Sequence, residues 1–251
     1  MCVLITGASS GIGLELAKVF AHHQHDLIIA SRNKEKMDIL KRELEANYKI
    51  KVYVCQVDLA EEDGVKLLYD KIKALNLEVD ILVNNAGAGY VGEFKEATCD
   101  KDLSIMTLNM TSLTLLSKYF SQEMIKKGKG KILHVASTGA YHPGPYTAVY
   151  YATKAYVLSF SEALSVELKP YGITVSALCP GATKTNFAEA SGKRNPKIAM
   201  DPSFVAKYAY KKLMKGKRVI VPGLRNQLFI KLPRGIVLKF IGKYQNSLSH
   251  K

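Results

Sequence analysis

The chain has 251 residues, 47% of them apolar and with no run of about 18 apolar residues, so we expect one large α/β domain or two small ones and no membrane-spanning helix. The formal net charge is +14, and residues 193–251 carry all of it, since they hold 15 lysines and arginines against one acid, Asp201. In residues 1–192 the acidic and basic side chains are equal in number, so the basic composition does not indicate a nucleic-acid-binding protein.

The first predicted elements are an apolar strand at residues 3–5, a glycine-rich turn, and a helix that begins at about Leu14. A strand, a turn and a helix in this order form the unit that binds a mononucleotide. Gly7 permits the tight turn, and Gly11 lets the backbone approach a pyrophosphate at the positive end of the helix. Gly13 lets the helix pack on the strand, and the whole motif predicts a dinucleotide site.

The second predicted strand, residues 26–30, ends at Ser31 and Arg32. No acid is present there to bind a free ribose 2′-hydroxyl, whereas the donors of these two side chains suit a 2′-phosphate. The position therefore favours NADP over NAD. In the alternative interpretation, Arg32 is a solvated charge at the start of the next helix, residues 33–47.

Two further strands are predicted to end at the same edge of the sheet. The strand at residues 51–57 is followed by Asp58, which could bind the adenine amino group or cap a helix that starts near Glu61. The strand at residues 80–83 is followed by small and amide residues at 84–87, which suit a floor under the cofactor.

The remaining predicted elements are a helix at 99–127 containing Asn109, a strand at 130–136 before Ser137, a helix from Tyr150 to about Leu168, and strands at 172–178 and 219–221. Strands that alternate with helices of this length predict an α/β, three-layer Rossmann fold with a doubly wound parallel sheet of about seven strands. We assign residues 1–223 to one NADP-binding catalytic domain and 224–251 to a basic amphipathic tail.

Tyr150 and Lys154 lie four residues apart in a predicted helix, so the phenol and the ammonium share one face. A nearby ammonium lowers the pKa of a phenol from about 10, and such a phenol can exchange a proton with a carbonyl or alcohol oxygen. Spacing alone does not single out this pair, because the same spacing occurs at Tyr69/Lys73 and Tyr208/Lys212.

Six elements in order resemble the short-chain dehydrogenase/reductase family: the turn at 6–13, Asn-Asn-Ala-Gly at 84–87, Asn109, Ser137, Tyr150 with Lys154, and Pro180-Gly181. The resemblance spans roughly residues 3–221. A serine stands thirteen residues before Tyr150, whereas Gln56 and Asn195 stand at that distance before the other two tyrosines. The resemblance thus selects the first pair, and residues 148–164 are most similar to the DltE-like and ketone-reducing group.

The resemblance implies a role for each of these residues. Tyr150 would be the general acid/base, Lys154 would lower its pKa and bind the nicotinamide ribose, and Ser137 would hydrogen-bond the substrate oxygen. Asn109 would hold a water in a proton relay to Lys154. The expected reaction interconverts a carbonyl and a secondary alcohol by NADP-dependent hydride transfer, on a small hydrophobic substrate.

The strand ends and the resemblance together predict the cofactor contacts: Gly7, Ser9, Ser10, Gly11, Ile12, Gly13, Ser31, Arg32, Asp58, Leu59, Asn85, Ala86, Gly87, Tyr150, Lys154, Pro180, Gly181, Thr183 and Thr185. The resemblance also implies a homodimer or homotetramer formed through the helices at 99–127 and 150–168. The alternative function is an NADPH-binding, membrane-peripheral or regulatory module without turnover, which would need neither Ser137 nor Tyr150.

Residues 186–202 are predicted to cover the substrate as a lid loop, with Tyr90, Tyr141 and His142 beside the pocket. In residues 224–244, apolar side chains recur at helical spacing, are interrupted at Pro233, and alternate with positive charges only. Two short amphipathic helices of this kind either pack on their own domain or a partner subunit, or rest on anionic lipid. Few aromatic residues and no binding motif argue against nucleic acid.

The four cysteines are scattered, with no paired spacing: Cys2, Cys55, Cys99 and Cys179. All except Cys99 lie in apolar strand-like runs, so we expect buried free thiols in a reducing cytoplasm. A strand begins almost at the first residue, and we expect no signal peptide. The histidines at positions 22, 23 and 25 lack partner ligands, and no metal site is predicted.

Overall fold

The computed structural model describes residues 1–187, 191–192 and 198–249. Within these residues, seven strands form one sheet: β1 (Cys2–Thr6), β2 (Asp26–Ser31), β3 (Val52–Gln56), β4 (Ile81–Asn84), β5 (Gly130–Val135), β6 (Ile173–Leu178) and β7 (Val219–Ile220). All pairs are parallel, in the order β3-β2-β1-β4-β5-β6-β7. The chain thus winds outward from β1 in one direction and from β4 in the other, which confirms the predicted doubly wound Rossmann fold.

Helices cover both faces of the sheet: α1 (Gly11–His22), α2 (Lys34–Asn47), α3 (Gly64–Ala74), α4 (Cys99–Met106), α5 (Ser112–Lys127), α6 (Ala148–Glu167), α7 (Pro202–Met214), α8 (Leu224–Phe229) and α9 (Arg234–Ser249). Successive residues of a strand point to opposite faces, so Val3 and Ile5 pack with α1, α2 and α7, whereas Leu4 packs with α3 and α5. Because both faces are buried, the inner strands are almost continuously apolar.

The helix predicted at 99–127 is interrupted in the structure. A π-helical turn, Thr107–Thr111, separates α4 from α5. The Ser112 hydroxyl after this turn donates hydrogen bonds to the carbonyls of Thr107, at 3.0 Å, and Leu59. A single inserted turn of this kind leaves the apolar pattern of the two flanking helices intact, so the sequence does not reveal it.

The helix after β3 also begins later than predicted. It starts at Gly64, with Asp63 before it, instead of near Glu61. Asp58 therefore does not cap this helix: its Oδ1 accepts a hydrogen bond from the backbone N–H of Ala60 at 2.9 Å. The carboxylate closes a local turn at the end of β3, at the edge of the sheet where the ligand crevice of such folds lies.

The cysteines and histidines take ordinary structural positions. Cys55 and Cys179 are buried as expected, but Cys2 is only half-buried. His23 stacks on the ring of Tyr210, with centroids 4.2 Å apart. In the part of the chain that the structure describes, no three histidine, cysteine or acidic side chains gather as metal ligands.

Candidate active site

The carboxyl ends of the strands surround a cavity of about 500 Å³. An open parallel sheet places its ligand crevice at this edge, where the strand order reverses between β1 and β4. Every residue predicted to be catalytic or to contact the cofactor lines the cavity, except Gly13 and Asn109, which are buried beside it. Neither of the two rival tyrosine–lysine pairs lines it.

The turn between β1 and α1 has the shape of an anion cradle. Gly7 and Gly11 have φ angles of +66° and +56°, which glycine adopts without strain. The first turn of α1 contains no acid, and Ser10 at its N-cap makes no side-chain capping bond. The positive end of the helix therefore faces the cavity uncapped. A Cβ on Gly13 would clash with the Gly7 carbonyl and the amide of Asn85, so the close approach of helix and turn requires glycine.

Donors gather where β2 and β3 end. The Arg32 Nη1 lies 3.6 Å from the Asp58 Oδ2, and the arginine side chain is 76% exposed. The hydroxyls of Ser9 and Ser31 lie 2.8 Å apart. A guanidinium and two hydroxyls at one corner of the cavity suit a phosphate, because they supply hydrogen-bond donors with a positive charge.

Ser137 follows β5, and Tyr150 stands in the first turn of α6. The Ser137 hydroxyl accepts a hydrogen bond from the Gly139 N–H at 3.0 Å, which holds it in place. Burial raises the pKa of Tyr150 above its ordinary value, and a hydrogen bond with Ser137 opposes that shift. The lowered pKa predicted for Tyr150 is therefore wrong in this arrangement, and the tyrosine keeps its proton at neutral pH.

Lys154 lies one helical turn after Tyr150 and is 5% exposed. Its Nζ is 5.8 Å from the centroid of the Tyr150 ring and donates a hydrogen bond to the Val135 carbonyl at 2.8 Å. Burial lowers the pKa of Lys154 to about 8. The amine therefore changes its charge just above neutral pH instead of remaining a fixed cation.

Asn109 lies in the π-helical turn and is almost fully buried. Its Nδ2 donates to the Ala88 carbonyl and to the Thr153 Oγ1, and its Oδ1 accepts from the Ala88 N–H, all at 2.9 Å. A Cβ on Gly87 would lie 3.2 Å from the Asn109 Oδ1 and 3.3 Å from the Lys154 Nζ. The asparagine thus positions the loop that separates it from the lysine, and the water relay stays a prediction.

The prediction for the substrate side is wrong for Tyr90, Tyr141 and His142, which do not line the cavity, whereas Phe187 of the predicted lid does. His142 is instead buried, and its Nε2 lies 3.1 Å from the Phe229 carbonyl oxygen. The side chains that take their place come from three separate elements: Tyr151, Phe187 and Ile241.

These three side chains have no common signal in the sequence. The Phe187 ring lies 5.5 Å from the Tyr150 ring, so the start of the predicted lid does reach the catalytic tyrosine. Residues 188–190 and 193–197 of that lid lie outside the described part of the chain. Tyr151 packs against Gly139, and Ile241 comes from α9, far along the chain.

A glycine turn at the start of α1 beside a serine, a tyrosine and a lysine is the arrangement of a dehydrogenase-type site on a Rossmann fold. The family model for short chain dehydrogenases matches residues 1–196, and the chain belongs to the short-chain dehydrogenase/reductase family, whose members are oxidoreductases acting on CH–OH groups. The human very-long-chain 3-oxoacyl-CoA reductase is 30% identical in an alignment 250 residues long, gaps included, which covers 95% of this chain and 77% of that protein.

Solved structures of related enzymes have the same fold. A short-chain dehydrogenase from Sphingobium yanoikuyae in complex with NADPH is 30% identical, with a TM-score of 0.85 over 93% of this chain and 96% of that one. The 3-ketoacyl-(acyl-carrier-protein) reductase from Brucella melitensis complexed with NADH is 28% identical, with a TM-score of 0.77 over 88% and 96%. Both nicotinamide cofactors thus occur among these relatives.

Proposed function

We propose that the protein is an NADP-dependent oxidoreductase that interconverts a carbonyl and a secondary alcohol. The observation that carries this proposal is the convergence of Ser137, Tyr150 and Lys154 on the cavity that also contains the glycine turn. A module that only bound the cofactor would need the turn but not the serine–tyrosine pair. We assign this chemistry to residues 1–223, as a single catalytic domain, and Ile241 of the C-terminal helix α9 adds to the wall of its cavity.

The chain's own residues would manage charge and protons in the reaction. During reduction, negative charge develops on the substrate oxygen, and hydrogen bonds from Ser137 and Tyr150 stabilise it. Tyr150, which burial keeps protonated at neutral pH, then donates its proton to that oxygen. Lys154 in its charged form stabilises the tyrosinate that remains. The nicotinamide supplies or accepts the hydride when it is bound.

The cofactor would lie along the carboxyl edge of the sheet. The pyrophosphate fits the turn at Gly7 and Gly11, where the end of α1 is uncapped. Arg32 with its neighbouring hydroxyls supports a preference for NADP, because those donors suit a 2′-phosphate and no acid of the second strand end competes for a free hydroxyl. Pro180, Gly181, Thr183 and Thr185 would hold the nicotinamide end.

The substrate would be a hydrophobic ketone or the corresponding alcohol. Tyr151, Phe187 and Ile241 offer an apolar and aromatic wall close to Tyr150. The two reductases above are named for 3-oxoacyl and 3-ketoacyl substrates, which are ketones attached to carbon chains. We extend the class of substrate, not the individual compound, to this protein.

Oxidation of NADPH with a panel of ketones and aldehydes tests the proposal directly. Tyr150→Phe should lower kcat by about 100-fold to 10,000-fold, because it removes the general acid. Cofactor affinity, measured by fluorescence titration with NADPH, should change little. Reduction at the wild-type rate by this variant would refute the assignment. Activity of the wild-type protein with no compound of the panel would favour the alternative, an NADPH-binding regulatory module.

We also propose a cytoplasmic protein that forms a homodimer or homotetramer through the faces of α5 and α6. Leu115 and Tyr156 on these helices are exposed, as an interface in a larger assembly requires. Among the residues that the structure describes, no helix has the length and apolar character needed to cross a bilayer.

A further inference from the structure

The last two helices and their connection expose large apolar side chains. Among residues 224–243, whose exposure the structure describes, six of these side chains are at least 40% exposed: Leu224, Leu228, Leu232, Ile236, Leu238 and Phe240. Leu224 and Leu228 are one turn apart on α8, and Ile236 and Phe240 are one turn apart on α9. Each helix thus presents an apolar stripe outward, and Leu232 lies between the two stripes in the chain.

The opposite side of these helices packs on the domain. Val237 is 2% exposed, and Ile241, one turn later, lines the catalytic cavity. The Phe229 ring packs edge-on against His142, with centroids 4.9 Å apart, and its carbonyl oxygen lies 3.1 Å from the His142 Nε2. The outward stripe is therefore exposed on helices that are already docked, so packing on their own domain does not account for it.

The charged side chains of these two helices and their connection are all positive. Arg225, Lys231, Arg234, Lys239 and Lys243 are exposed, and none of them belongs to an ion pair among the described residues. Residues 202–251 contain no aspartate or glutamate. Elsewhere, exposed lysines on α2 and α3 pair with acids one turn away, as Lys34 does with Asp38. The tail lacks the acids that would neutralise it.

We propose that this C-terminal apolar surface, formed by Leu224, Leu228, Leu232, Ile236 and Phe240 with the five cations, binds the surface of anionic lipid bilayers. Apolar side chains between cations suit the boundary of headgroups and acyl chains, where one group enters the bilayer and the other meets phosphate. A second copy of the chain is disfavoured as the occupant, because a symmetric contact would bring ten cations together without an acid.

Vesicle sedimentation with the full chain, without cofactor or substrate, tests this surface independently of catalysis. The protein should pellet with vesicles of phosphatidylcholine and phosphatidylserine far more than with phosphatidylcholine alone. Ile236→Ser/Phe240→Ser should lower the partition coefficient more than about tenfold, because two large apolar side chains no longer enter the lipid. The matched control is Ile39→Ser/Leu67→Ser, two side chains on α2 and α3 that are 50% and 53% exposed.

A second pair of variants tests the charges and does not depend on the first pair folding. Arg234→Gln/Lys239→Gln should lower binding to the anionic vesicles about tenfold or more. Lys49→Gln/Lys169→Gln, at exposed lysines before β3 and β6 on the opposite edge of the sheet, should leave binding unchanged. Absence of pelleting, or equal pelleting of test and control variants, overturns the proposal. So does analytical ultracentrifugation that shows a dimer dissociated by Ile236→Ser/Phe240→Ser, which would assign the surface to a second copy.

Discussion

At the scale of single residues, burial controls the protonation of the site more than the spacing of Tyr150 and Lys154 does. The helical spacing correctly places both side chains at one cavity, but it predicts that the lysine lowers the pKa of the tyrosine. Burial instead raises the pKa of Tyr150 and lowers that of Lys154 to about 8. Spacing indicates which groups meet, whereas the pKa of each group depends on how much water the fold removes around it.

The pH dependence of carbonyl reduction should follow Lys154. Below a pH of about 8 the amine is charged and stabilises the developing tyrosinate; above it the charge is lost. We therefore expect kcat/KM for ketone reduction to fall as the pH rises through about 8. Ionisation of Tyr150 should cause no second change of kcat/KM around pH 8, since the pKa of this tyrosine is raised. The Lys154→Met variant should reduce ketones slowly, and its kcat/KM should not fall as the pH rises through about 8. A wild-type kcat/KM that stays constant up to the pKa of free lysine would contradict this.

Arg32 should control the choice of cofactor. Arg32→Ser removes a charged hydrogen bond to a 2′-phosphate, which corresponds to a rise in KM for NADPH of about tenfold or more. The KM for NADH should barely change. Arg42→Ser, at an exposed arginine further along α2, is the matched control. If Arg32→Ser changed the KM for NADPH and the KM for NADH by the same factor, Arg32 would be only a solvated charge.

At the scale of elements, the ends of the strands were predictable and the irregular helices were not. Ser31 ends β2, and Asp58, Asn85 and Ser137 follow strands whose apolar runs end sharply, so a parallel sheet brings all four to one edge. The π-helical turn around Asn109 has no such signal, because the helices on both sides keep their own apolar periodicity. The wall formed by Tyr151, Phe187 and Ile241 depends on contacts distant in the chain, which local patterns do not record.

The packing of α1 on the glycine turn gives a test of stability. Gly13→Ala places a methyl group against the Gly7 carbonyl and the Asn85 amide, so the turn must shift. We expect a loss of about 1–3 kcal/mol in the free energy of unfolding, measured with urea. In Gly235→Ala, on α9, the added methyl group meets no atom within 4 Å and should be neutral or stabilising. Equal stability of the two variants would contradict the close packing.

At the scale of the whole molecule, a buried histidine joins the central sheet to two helices. His134 on β5 is fully buried; its Nε2 lies 2.9 Å from the Ser117 hydroxyl on α5, and its Nδ1 lies 2.8 Å from the Ser161 hydroxyl on α6. Burial lowers the pKa of His134 from 6.5 to about 3. The folded protein therefore keeps this side chain neutral at pH values where the unfolded chain binds a proton.

This difference makes unfolding sensitive to acid. The contribution of His134 to stability is complete above about pH 6.5 and is lost as the pH falls toward 3, at up to about 1.4 kcal/mol per pH unit. His134→Gln should be less stable at pH 7 but should lose less stability between these pH values. The pKa of His25 is also lowered. Because both the wild-type protein and the His134→Gln variant contain His25, its contribution cancels when their stabilities are compared. Parallel stability curves would contradict the role of His134.

The contact between Gly181 and Asn226 joins the proposed nicotinamide site to the helix that carries part of the C-terminal apolar surface. Gly181 belongs to the turn proposed to hold the nicotinamide end, and a Cβ there would clash with the Asn226 side chain on α8. Asn226 Nδ2 also donates to the Pro222 carbonyl at 2.7 Å, which fixes the start of that helix. If lipid binding at α8 changes the affinity for NADPH by some factor, NADPH must change the affinity for lipid by the same factor. The concentration of NADPH would then change the fraction of the protein that is bound to a membrane.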